Sequence, residues 1–398
     1  MISLTKLLCD YSCFGDGLRY DHVPGAGSRR PIVVWSVTRR CNLSCVHCYC
    51  DSHDTVYPGE LSTGEAKKMI DALKDFGVPV LLFSGGEPLM RGDLLELNAH
   101  ARSCGLRTVI STNGTLITQA MAARIFESGF NYVGISLDGA KDNNDRFRGK
   151  AGAFDAAVEG IRNLVAIGQK VGLRFTITGH NYGDLPGIFE LAEKESIPRI
   201  CFYHLAYAGR GLRLSKADLT AAQTRAAVDS ICDWTLSLNR RGIHKEVLTV
   251  DNHADGVYLY LKLLKTDPAR AKLVYELLLS NGGNASGMYI ANVDHRGYVH
   301  PDQFWQDVTF GNVRERPFGD IWTDPSNVFL QQLKNRKSRL KGRCGRCEFK
   351  DICNGNLRCR AYAATGDVWQ EDPACYLTDE ELSGGKDGRE GLRRGTDS

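Results

Sequence analysis

The feature that most constrains this chain is a regular alternation of short apolar runs with longer, helix-patterned segments, beginning near Pro31. Continuous apolar runs of this length are typical of strands buried on both faces. Six strand–helix units in series predict a parallel sheet with right-handed crossovers, as a partial or full barrel or a doubly wound sheet. The first predicted strand begins at Ile32. The other five cover Val78–Phe83, Thr108–Ile110, Tyr132–Leu137, Val171–Ile177 and Ile200–Leu205.

Helix signals fill the intervals between these strands. Ser62 and Glu65 have the spacing of a capping box, and Gly77 can end the helix that they begin. A residue pattern with Gly297 in its turn predicts a hairpin near 288–300. The other predicted helices cover 93–104, 118–128, 154–167, 185–194, 217–241 and one stretch near 257–279.

These signals divide the chain into consecutive parts. We expect the carboxyl ends of the strands to carry function, as they do in both parallel-sheet architectures. The expected parts are an N-terminal extension without clear periodicity (1–30), an α/β core (31–215), a helical connection (216–282), a small C-terminal domain (283–378) and a disordered tail (379–398).

Charge and hydropathy narrow the possible partners. The 398 residues carry a net charge of +3, from 50 Lys and Arg against 47 Asp and Glu, which argues against a nucleic-acid-binding surface. The longest apolar runs are far shorter than the roughly 20 residues that a membrane span needs. Lys6 and Asp10 interrupt any signal-peptide core at the N-terminus. We therefore expect a cytoplasmic protein that binds neither nucleic acid nor membrane.

Cysteine is the unusual component, with 14 residues. In a chain without an export signal, thiols stay reduced, and clustered cysteines indicate metal sites. The first cluster, Cys41, Cys45 and Cys48, directly follows a predicted strand. Three thiolates on one loop can hold three irons of a cubane cluster and leave the fourth iron open to a small molecule. A zinc site is the alternative, although paired C-x2-C hooks suit zinc better than this C-x3-C-x2-C spacing.

Together with three motifs after the next strands, this loop resembles the radical S-adenosylmethionine (SAM) superfamily. Physically, two glycines let backbone approach a ligand, and a carboxylate such as Glu87 can pair with an ammonium group. The resemblance implies a partial (β/α)6 barrel with SAM bound to the open iron. The residues at the family's SAM-contacting positions are His47, Gly85, Gly86, Glu87, Pro88, Ser111, Asn113, Ser136, Asp138 and Arg148.

A second cysteine set lies near the C-terminus, at Cys344, Cys347, Cys353 and Cys375. It resembles the SPASM domain, and its four cysteines match the ligand pattern of one fully ligated auxiliary [4Fe–4S] cluster. Full SPASM domains hold a second auxiliary cluster, but the corresponding positions here are Ser286 or Gly287, Asp302 and Leu357. We therefore expect one auxiliary cluster, with Cys359 as a spare thiol. A zinc ion held by these cysteines, in place of an iron–sulfur cluster, is the alternative for this domain.

Three further stretches resemble one radical SAM subgroup, the enzymes that act on modified haems. They lie at 203–211, at 251–256, and at 282–287 together with 300–305. The subgroup includes the 12,18-didecarboxysiroheme deacetylases of haem biosynthesis and the haem d1 biosynthesis enzymes, and the N-terminal residues are more like the former. The resemblance implies loss of two acetate side chains from didecarboxysiroheme to give Fe-coproporphyrin III, driven by a 5′-deoxyadenosyl radical. It also implies a low-potential electron donor such as flavodoxin or ferredoxin.

Tetrapyrrole carboxylates need Arg or Lys partners, and a substrate iron can take an axial His. Arg210, on a glycine-flanked loop, is the expected carboxylate clamp, and His204 is an expected substrate contact. His253, His295 and His300 are further axial candidates. We expect a monomer or small oligomer.

Three other functions remain as alternatives. A haem d1 enzyme would replace propionates by oxo groups on a similar substrate. A peptide-modifying SPASM enzyme is expected to carry a docking domain of about 80–90 residues before the barrel, where this chain has about 30. A non-catalytic iron–sulfur or zinc scaffold would not need the Gly85–Pro88 motif or an open three-cysteine site.

Overall fold

The computed structural model describes residues 1–21 and 29–383, which form two compact units. The sheet unit comprises the described residues of 28–218 and 286–334, and the helical unit comprises those of 1–27, 219–285 and 335–398. The strands are β1 (Ile2–Ser3), β2 (Ile32–Thr38), β3 (Val80–Gly85), β4 (Arg107–Thr112), β5 (Tyr132–Ser136), β6 (Val171–Ile177), β7 (Arg199–His204), β8 (Glu246–Val250), β9 (Ile290–Val293), β10 (Tyr298–His300) and β11 (Gly311–Asn312).

Helices connect and cover these strands. The α-helices are α1 (Leu4–Cys9), α2 (Asp16–Tyr20), α3 (Thr63–Phe76), α4 (Leu94–Ser103), α5 (Gln119–Glu127), α6 (Lys141–Arg148), α7 (Ala153–Ala166), α8 (Leu185–Lys194), α9 (Ala221–Arg240), α10 (Ala254–Thr266), α11 (Pro268–Asn281), α12 (Phe318–Thr323), α13 (Val328–Lys334), α14 (Gly342–Arg346), α15 (Lys350–Cys353), α16 (Arg358–Thr365) and α17 (Asp379–Leu382). Short 3₁₀ helices lie at Pro88–Met90, Tyr182–Asp184, Gly209–Ala217 and Arg336–Arg339.

The sheet unit is built on six parallel strands, β2 to β7, paired in chain order. The free side of β2 is occupied by β9, which runs parallel to it, so the sheet stays open. This is the partial (β/α)6 architecture that the sequence predicts, and all six predicted strands are confirmed. Large apolar side chains such as Phe83, Phe175 and Phe202 are fully buried in the sheet unit.

The predicted hairpin exists, and it extends the sheet. β9 pairs antiparallel with β10, and β10 with β11. Because β9 also pairs with β2, residues 286–334 fall into the sheet unit, and 335 onward into the helical unit. The compact units therefore cut across the 283–378 segment, which the sequence treats as one consecutive part.

Several local predictions need correction. The first 21 residues are ordered, with β1 pairing β8 and Ser3 capping α1 through Lys6 N. The helical stretch near 257–279 is two helices, since Asp267 caps a new helix whose first residue is Pro268. The predicted tail begins with α17, which Thr378 and Glu381 start with a capping box. Its remaining positions, 384–398, lie outside the described residues.

In the helical unit, β1 and β8 form an antiparallel pair, and α10 packs against α11. Tyr20 Oη accepts a hydrogen bond from the backbone N–H of Ser3, 2.8 Å away, which joins α2 to β1. Among the described residues, no helix is both long enough and apolar enough to cross a membrane.

Candidate active site

The loop that follows β2 brings the first three cysteines together. Cys41 and Cys45 are buried and Cys48 is partly buried, and all three pack in one cluster with Leu43 and Ala153. The backbone N–H of Cys48 donates to the carbonyl of Cys45 over 3.3 Å, which folds the loop back on itself. Three thiols on one tight turn are the donor set that an iron–sulfur cluster with one open iron requires.

Burial shapes the chemistry of these thiols. It raises the pKa of Cys41 to about 12 and also raises the pKa of Cys45. Buried thiols of this kind keep their protons at neutral pH until a metal cation replaces them. The cysteine loop therefore fits a resident iron–sulfur cluster better than it fits a solvent-facing nucleophile.

Polar groups of neighbouring segments reach each sulfur. Asn113 Nδ2 lies 4.0 Å from Cys41 Sγ, and Arg148 Nη1 lies 3.7 Å from Cys45 Sγ. The backbone N–H of Ser52 is 3.4 Å from Cys48 Sγ. Hydrogen bonds to the sulfurs are one means by which a protein tunes such a cluster.

The end of α6 holds the cysteine loop in place. Ser44 N donates to Arg148 O over 3.2 Å, and Val46 N donates to Phe147 O over 2.9 Å. Gly149 ends the helix with φ of +67°, and a Cβ there would lie 2.6 Å from the carbonyl oxygen of Ser44. A glycine is needed at this position because both the backbone conformation and the close contact exclude a side chain.

Arg210 also contacts the cysteine loop, through hydrogen bonds of its side chain and of its backbone. Its Nε donates to the Cys45 carbonyl over 2.7 Å, and its Nη1 lies 2.9 Å from Asp51 Oδ1 and 3.0 Å from the Ser52 carbonyl. Its backbone N–H donates to Cys48 O. The Nε and Nη1 groups of this guanidinium are thus bonded within the protein, where they hold the cysteine loop, and a contact with a substrate carboxylate stays a prediction.

The glycines on either side of Arg210 allow its segment to pack closely against the backbone of the cysteine loop. A Cβ on Gly209 would lie 2.5 Å from Cys48 O, and one on Gly211 would lie 3.1 Å from His47 O. Backbone contact this close lets the 3₁₀ segment Gly209–Ala217 lie directly on the cysteine loop. The glycines serve loop packing, and the sequence alone attributes them to a ligand-facing rim.

Asp138, after β5, links two other predicted residues. Its carboxylate pairs with the guanidinium of Arg148 and lies 3.4 Å from His47 Nε2. The His47 ring stacks on Phe147 with ring centroids 4.5 Å apart. Burial lowers the pKa of His47 to about 4, so the ring is neutral at physiological pH. His47 therefore presents an uncharged aromatic face beside the cysteines.

The glycine motif after β3 is packed against the segment leading into the cysteine loop. Gly86 N donates to Thr38 O, and Glu87 N donates to Arg40 O, both over 2.8 Å. A Cβ would lie 2.2 Å from Thr38 O if placed on Gly85, whose φ is +134°, and 2.2 Å from Arg40 O if placed on Gly86. The two glycines are therefore required by backbone contact within the protein.

Glu87 departs from its expected role. Its carboxylate is fully buried and accepts hydrogen bonds from Thr112 Oγ1 and from Asn113 N, both over 2.7 Å, and from Leu89 N over 3.1 Å. Burial raises its pKa. Both oxygens accept hydrogen bonds inside the protein, so Glu87 orients the Thr112–Asn113 turn, and its pairing with a ligand ammonium group stays a prediction. Pro88 is buried at the first turn of the 3₁₀ helix beside it.

The remaining predicted residues lie at or just beyond the carboxyl ends of strands. Ser111 accepts from Arg174 Nη1 over 2.9 Å, and both Ser111 and Ser136 are partly exposed. Asn113 donates to Asn42 over 2.8 Å, which ties β4 to the cysteine loop. His204 is buried at the end of β7. Asn113 and Arg148 thus lie against the cysteine sulfurs, and SAM contact by the predicted residues stays a prediction.

Sequence reasoning missed two aromatic residues of this site. Tyr49, directly after Cys48, lies 3.2 Å from Ser84 Oγ and packs edge-on against Phe304, while Phe147 stacks on His47. The position of Tyr49 beside a cysteine was a usable signal. Phe147 is carried by α6, a helix that the apolar pattern does not predict.

In the helical unit, the second cysteine set lines one pocket. Cys344, Cys347, Cys353 and Cys375 all border it, together with basic side chains such as Arg343. Burial raises the pKa of all four thiols, that of Cys375 to about 12. Four thiols around one cavity fit a fully ligated cluster. Cys359, on α16, is buried but does not line this pocket, and its role as a spare thiol stays a prediction.

At the positions where a second auxiliary cluster would need cysteine ligands, this chain has other residues, and they form hydrogen bonds within the protein. The Ser286 hydroxyl donates to the Asp302 carboxylate, and both side chains are buried. Gly287 N donates to Pro301 O over 2.8 Å. Hydroxyl, carboxylate and backbone satisfy one another here, which agrees with a single auxiliary cluster.

Other expected axial histidines are engaged with protein groups. His253 Nε2 lies 3.1 Å from the amino group of Met1, and His300 Nδ1 lies 2.6 Å from the Val308 carbonyl. Burial is the main cause that lowers the pKa of His253 and of His295. None of these contacts places a histidine beside the three cysteines.

Two family profiles match the chain. The radical SAM superfamily profile matches residues 35–192, which contain the cysteine loop and the parallel strands from most of β2 to β6. The SPASM profile, an iron-sulfur cluster-binding domain, matches residues 286–348. With the two cysteine sets described above, these matches establish a radical SAM [4Fe–4S] cluster, an auxiliary cluster and SAM as the cofactors.

Curated relatives match over almost the whole chain. Fe-coproporphyrin III synthase of Methanosarcina barkeri is 54% identical over 394 residues, covering 96% of this chain and 99% of that protein. Pre-heme d1 synthase of Dinoroseobacter shibae is 44% identical, covering 89% and 88%. AdoMet-dependent heme synthase of Nitratidesulfovibrio vulgaris is 33% identical, covering 86% and 91%.

Solved structures show the same fold. SuiB of Streptococcus suis bound to S-adenosylmethionine has a TM-score of 0.68 at 16% identity, covering 88% of this chain and 78% of that one. Native anSMEcpe with bound AdoMet has a TM-score of 0.67 at 18% identity, covering 88% and 96%. The cysteine loop, the strand-end motifs and these matches together show that the chain belongs to the radical SAM superfamily, as a SPASM-domain enzyme among the haem-biosynthesis members.

Proposed function

We propose that this enzyme removes two acetate side chains from 12,18-didecarboxysiroheme to give Fe-coproporphyrin III. The observation that carries the proposal is the 54% identity to Fe-coproporphyrin III synthase over 96% of the chain. The three-cysteine loop and its converging strand-end motifs supply the radical chemistry that such a reaction needs. The relative from D. shibae is less similar, at 44% identity.

We assign the first three cysteines, Cys41, Cys45 and Cys48, to the SAM-binding cluster, and Cys344, Cys347, Cys353 and Cys375 to the auxiliary cluster. The first set would hold a cluster that could reduce SAM, and SAM bound there would provide the carbon radical needed to take hydrogen from the substrate. The buried apolar setting of the cysteine loop excludes water from this site.

The predicted SAM-contacting residues divide into two roles by their exposure. His47, Gly85, Gly86, Ser111 and Ser136 keep exposed surface, so we propose them as direct SAM contacts. Glu87, Asp138 and Arg148 are buried and bonded within the protein, so we propose that they position the contacting segments. Asn113 and Pro88 belong with this second set.

The test is an anaerobic assay of reconstituted enzyme with dithionite, SAM and didecarboxysiroheme, with the tetrapyrrole identified by mass. Fe-coproporphyrin III formed together with 5′-deoxyadenosine is the expected result. An oxo-substituted tetrapyrrole would move the assignment to haem d1 biosynthesis, the alternative that the D. shibae relative represents. Deoxyadenosine with unchanged tetrapyrrole would contradict the proposed substrate.

Two finer points belong to the same proposal. We propose a low-potential protein such as flavodoxin or ferredoxin as the electron donor, because the first cluster must deliver an electron to SAM. We also propose cytoplasmic action, because reduced thiols and low-potential clusters persist where thiols are kept reduced.

A further inference from the structure

The sheet unit carries a row of partly exposed polar side chains at alternate positions of neighbouring strands. In β6, Arg174 and Thr176 are partly exposed, whereas the other five residues are buried. Arg174 pairs in register with the partly exposed Ser136 of β5 and with the buried Cys201 of β7, and Thr176 pairs with the partly exposed Tyr203. Residues in register on parallel strands point to the same face. One face of the sheet is therefore polar and accessible near the carboxyl ends of its strands.

Arg174 is unusual on this face because no acid neutralises it. Its Nη1 donates to Ser111 Oγ over 2.9 Å, and its guanidinium lies 5.7 Å from the ring centroid of Tyr203. Its Nε is buried without a hydrogen-bond partner. Within residues 1–21 and 29–383, no Asp or Glu forms an ion pair with Arg174. An arginine stays charged at all relevant pH values, so this charge lacks its counterpart.

One glycine makes space for this arginine, and a second glycine makes space for the Tyr132 ring. A Cβ on Gly134 would lie 2.4 Å from Arg174 Nε, and one on Gly172 would lie 2.2 Å from Tyr132 Oη. Both glycines are in strands, and neither has a positive φ. Space rather than backbone conformation therefore explains them, and the sheet is built around a guanidinium at this place.

The arginine also lies next to the reaction site. Ser111, its hydrogen-bond acceptor, precedes Thr112 and Asn113, and Asn113 Nδ2 is 4.0 Å from Cys41 Sγ. The ring of Tyr203 beside it supplies an aromatic surface of the kind that tetrapyrrole pockets use. A guanidinium with free N–H groups recognises a carboxylate in a forked, charge-assisted geometry.

We infer that Arg174 binds a carboxylate of the tetrapyrrole substrate inside the sheet unit, an inference that rests on the proposed function. It assigns the clamp to a strand residue, whereas the sequence alone assigns it to Arg210. Both acetate and propionate side chains offer the required carboxylate.

The test uses reconstituted full-length enzyme and anaerobic absorbance titrations with didecarboxysiroheme. Arg174→Gln should weaken binding at least about tenfold, since a hydrogen bond to a charged group contributes about 1.5–3 kcal/mol. Arg174→Lys should recover part of the affinity, because it restores the charge without the fork. Gly134→Ala, which displaces the guanidinium without removing it, should weaken binding in the same direction.

Arg162→Gln is the matched control, because Arg162 is an exposed arginine on α7 paired with Glu195. It loses the same charge and should bind tetrapyrrole like the wild type. Iron content should stay at the wild-type value in all four variants, which separates lost substrate binding from lost folding.

A parallel titration with Fe-coproporphyrin III, which lacks the two acetates, distinguishes the carboxylates. Equal weakening for both ligands assigns Arg174 to a propionate, and weakening for didecarboxysiroheme alone assigns it to an acetate. Wild-type affinity of Arg174→Gln for both ligands overturns the inference and leaves the proposed function intact, and so does a defect confined to SAM binding. If the wild type neither binds nor converts didecarboxysiroheme, the proposed function fails and the inference fails with it.

Discussion

At the scale of single residues, the site separates groups that face a ligand from groups that hold others in place. Glu87 and Arg210 both carry charges that suit a ligand, and both direct them into the protein. Arg174 has the opposite character, since it lies within a strand and pairs with no carboxylate in the described part of the chain. The chemical type of a side chain therefore suggests its role less well than the partners that surround it.

Replacing one cysteine of the loop should remove one cluster only. In Cys41→Ala, we expect no detectable 5′-deoxyadenosine under dithionite and the loss of about four of about eight irons per chain, because the loop then offers two thiolates. Iron analysis and chromatography of the SAM products provide the measurements.

Cys50→Ala is the matched control, because Cys50 is buried two residues beyond Cys48 and its sulfur contacts Gln306. It should keep SAM cleavage. Deoxyadenosine made by Cys41→Ala at wild-type rate would contradict the assignment of the loop.

The contacts of Arg210 predict a defect in the cluster itself. Arg210→Ala removes the hydrogen bonds to the Cys45 and Ser52 carbonyls, so we expect a changed electron paramagnetic resonance signal of the reduced cluster and at least about tenfold slower SAM cleavage. Arg210→Lys should restore part of the signal.

Exposed Arg213, three residues further on, provides the control variant Arg213→Ala, which should behave like the wild type. If Arg210→Ala instead keeps its signal and SAM cleavage and loses only tetrapyrrole affinity, the substrate clamp expected from the sequence is correct and the positioning role is wrong.

At the scale of elements, the cysteine loop depends on segments that are distant in sequence. α6 binds it through backbone hydrogen bonds at Ser44 and Val46, and the 3₁₀ helix Gly209–Ala217 binds it through Arg210 and its glycines. Neither element has an apolar face that sequence reasoning would notice. α6 is strongly polar, with the sequence KDNNDRFR.

The end of α6 offers a stability test. Gly149→Ala introduces strain at φ of +67° and a contact of 2.6 Å with the Ser44 carbonyl, so we expect a loss of about 1–3 kcal/mol in unfolding free energy together with lower cluster content. Anaerobic thermal unfolding and iron analysis measure the two effects.

Gly168→Ala isolates the backbone strain, since Gly168 has φ of +79° and nothing within 4 Å of a Cβ. We expect a smaller destabilisation and a full complement of iron in this variant. Equal behaviour of the two variants would show that the contact with the cysteine loop is unimportant.

At the scale of the whole molecule, two cysteine sets in two compact units serve two clusters. The wild type should therefore contain about eight irons per chain after reconstitution, since each cubane holds four. Cys344→Ala should lower this to about four and leave the signal of the first cluster unchanged. Iron analysis with Mössbauer spectroscopy measures both.

Cys359→Ala is the matched control for the auxiliary site, because Cys359 lies outside the pocket of the four cysteines. It should keep about eight irons. A wild-type content near twelve would contradict the single auxiliary cluster and the interpretation of the Ser286–Asp302 pair.

The sequence by itself determined the elements and the cofactor ligands. Strand and helix signals are local, because they depend on periodicity, caps and turns over a few residues, and the six strands were placed to within about three residues. Cluster ligands were equally readable, since three or four thiols at short spacing have few other uses. The sequence does not predict α6, which is polar, or β8, which is short, because their residues give no periodic signal.

Only the tertiary structure decided which charges face a ligand and which hold the protein together. Arg210 meets Cys45 across 165 positions of sequence, Glu87 meets Asn113 across 26, and Gly134 makes room for Arg174 on the neighbouring strand. The same holds for β9, which joins residues 286–334 to the sheet by pairing with β2. Hydrogen bonds and ion pairs act over about 3 Å of space, and the sequence does not reveal which distant residues the fold brings to that distance.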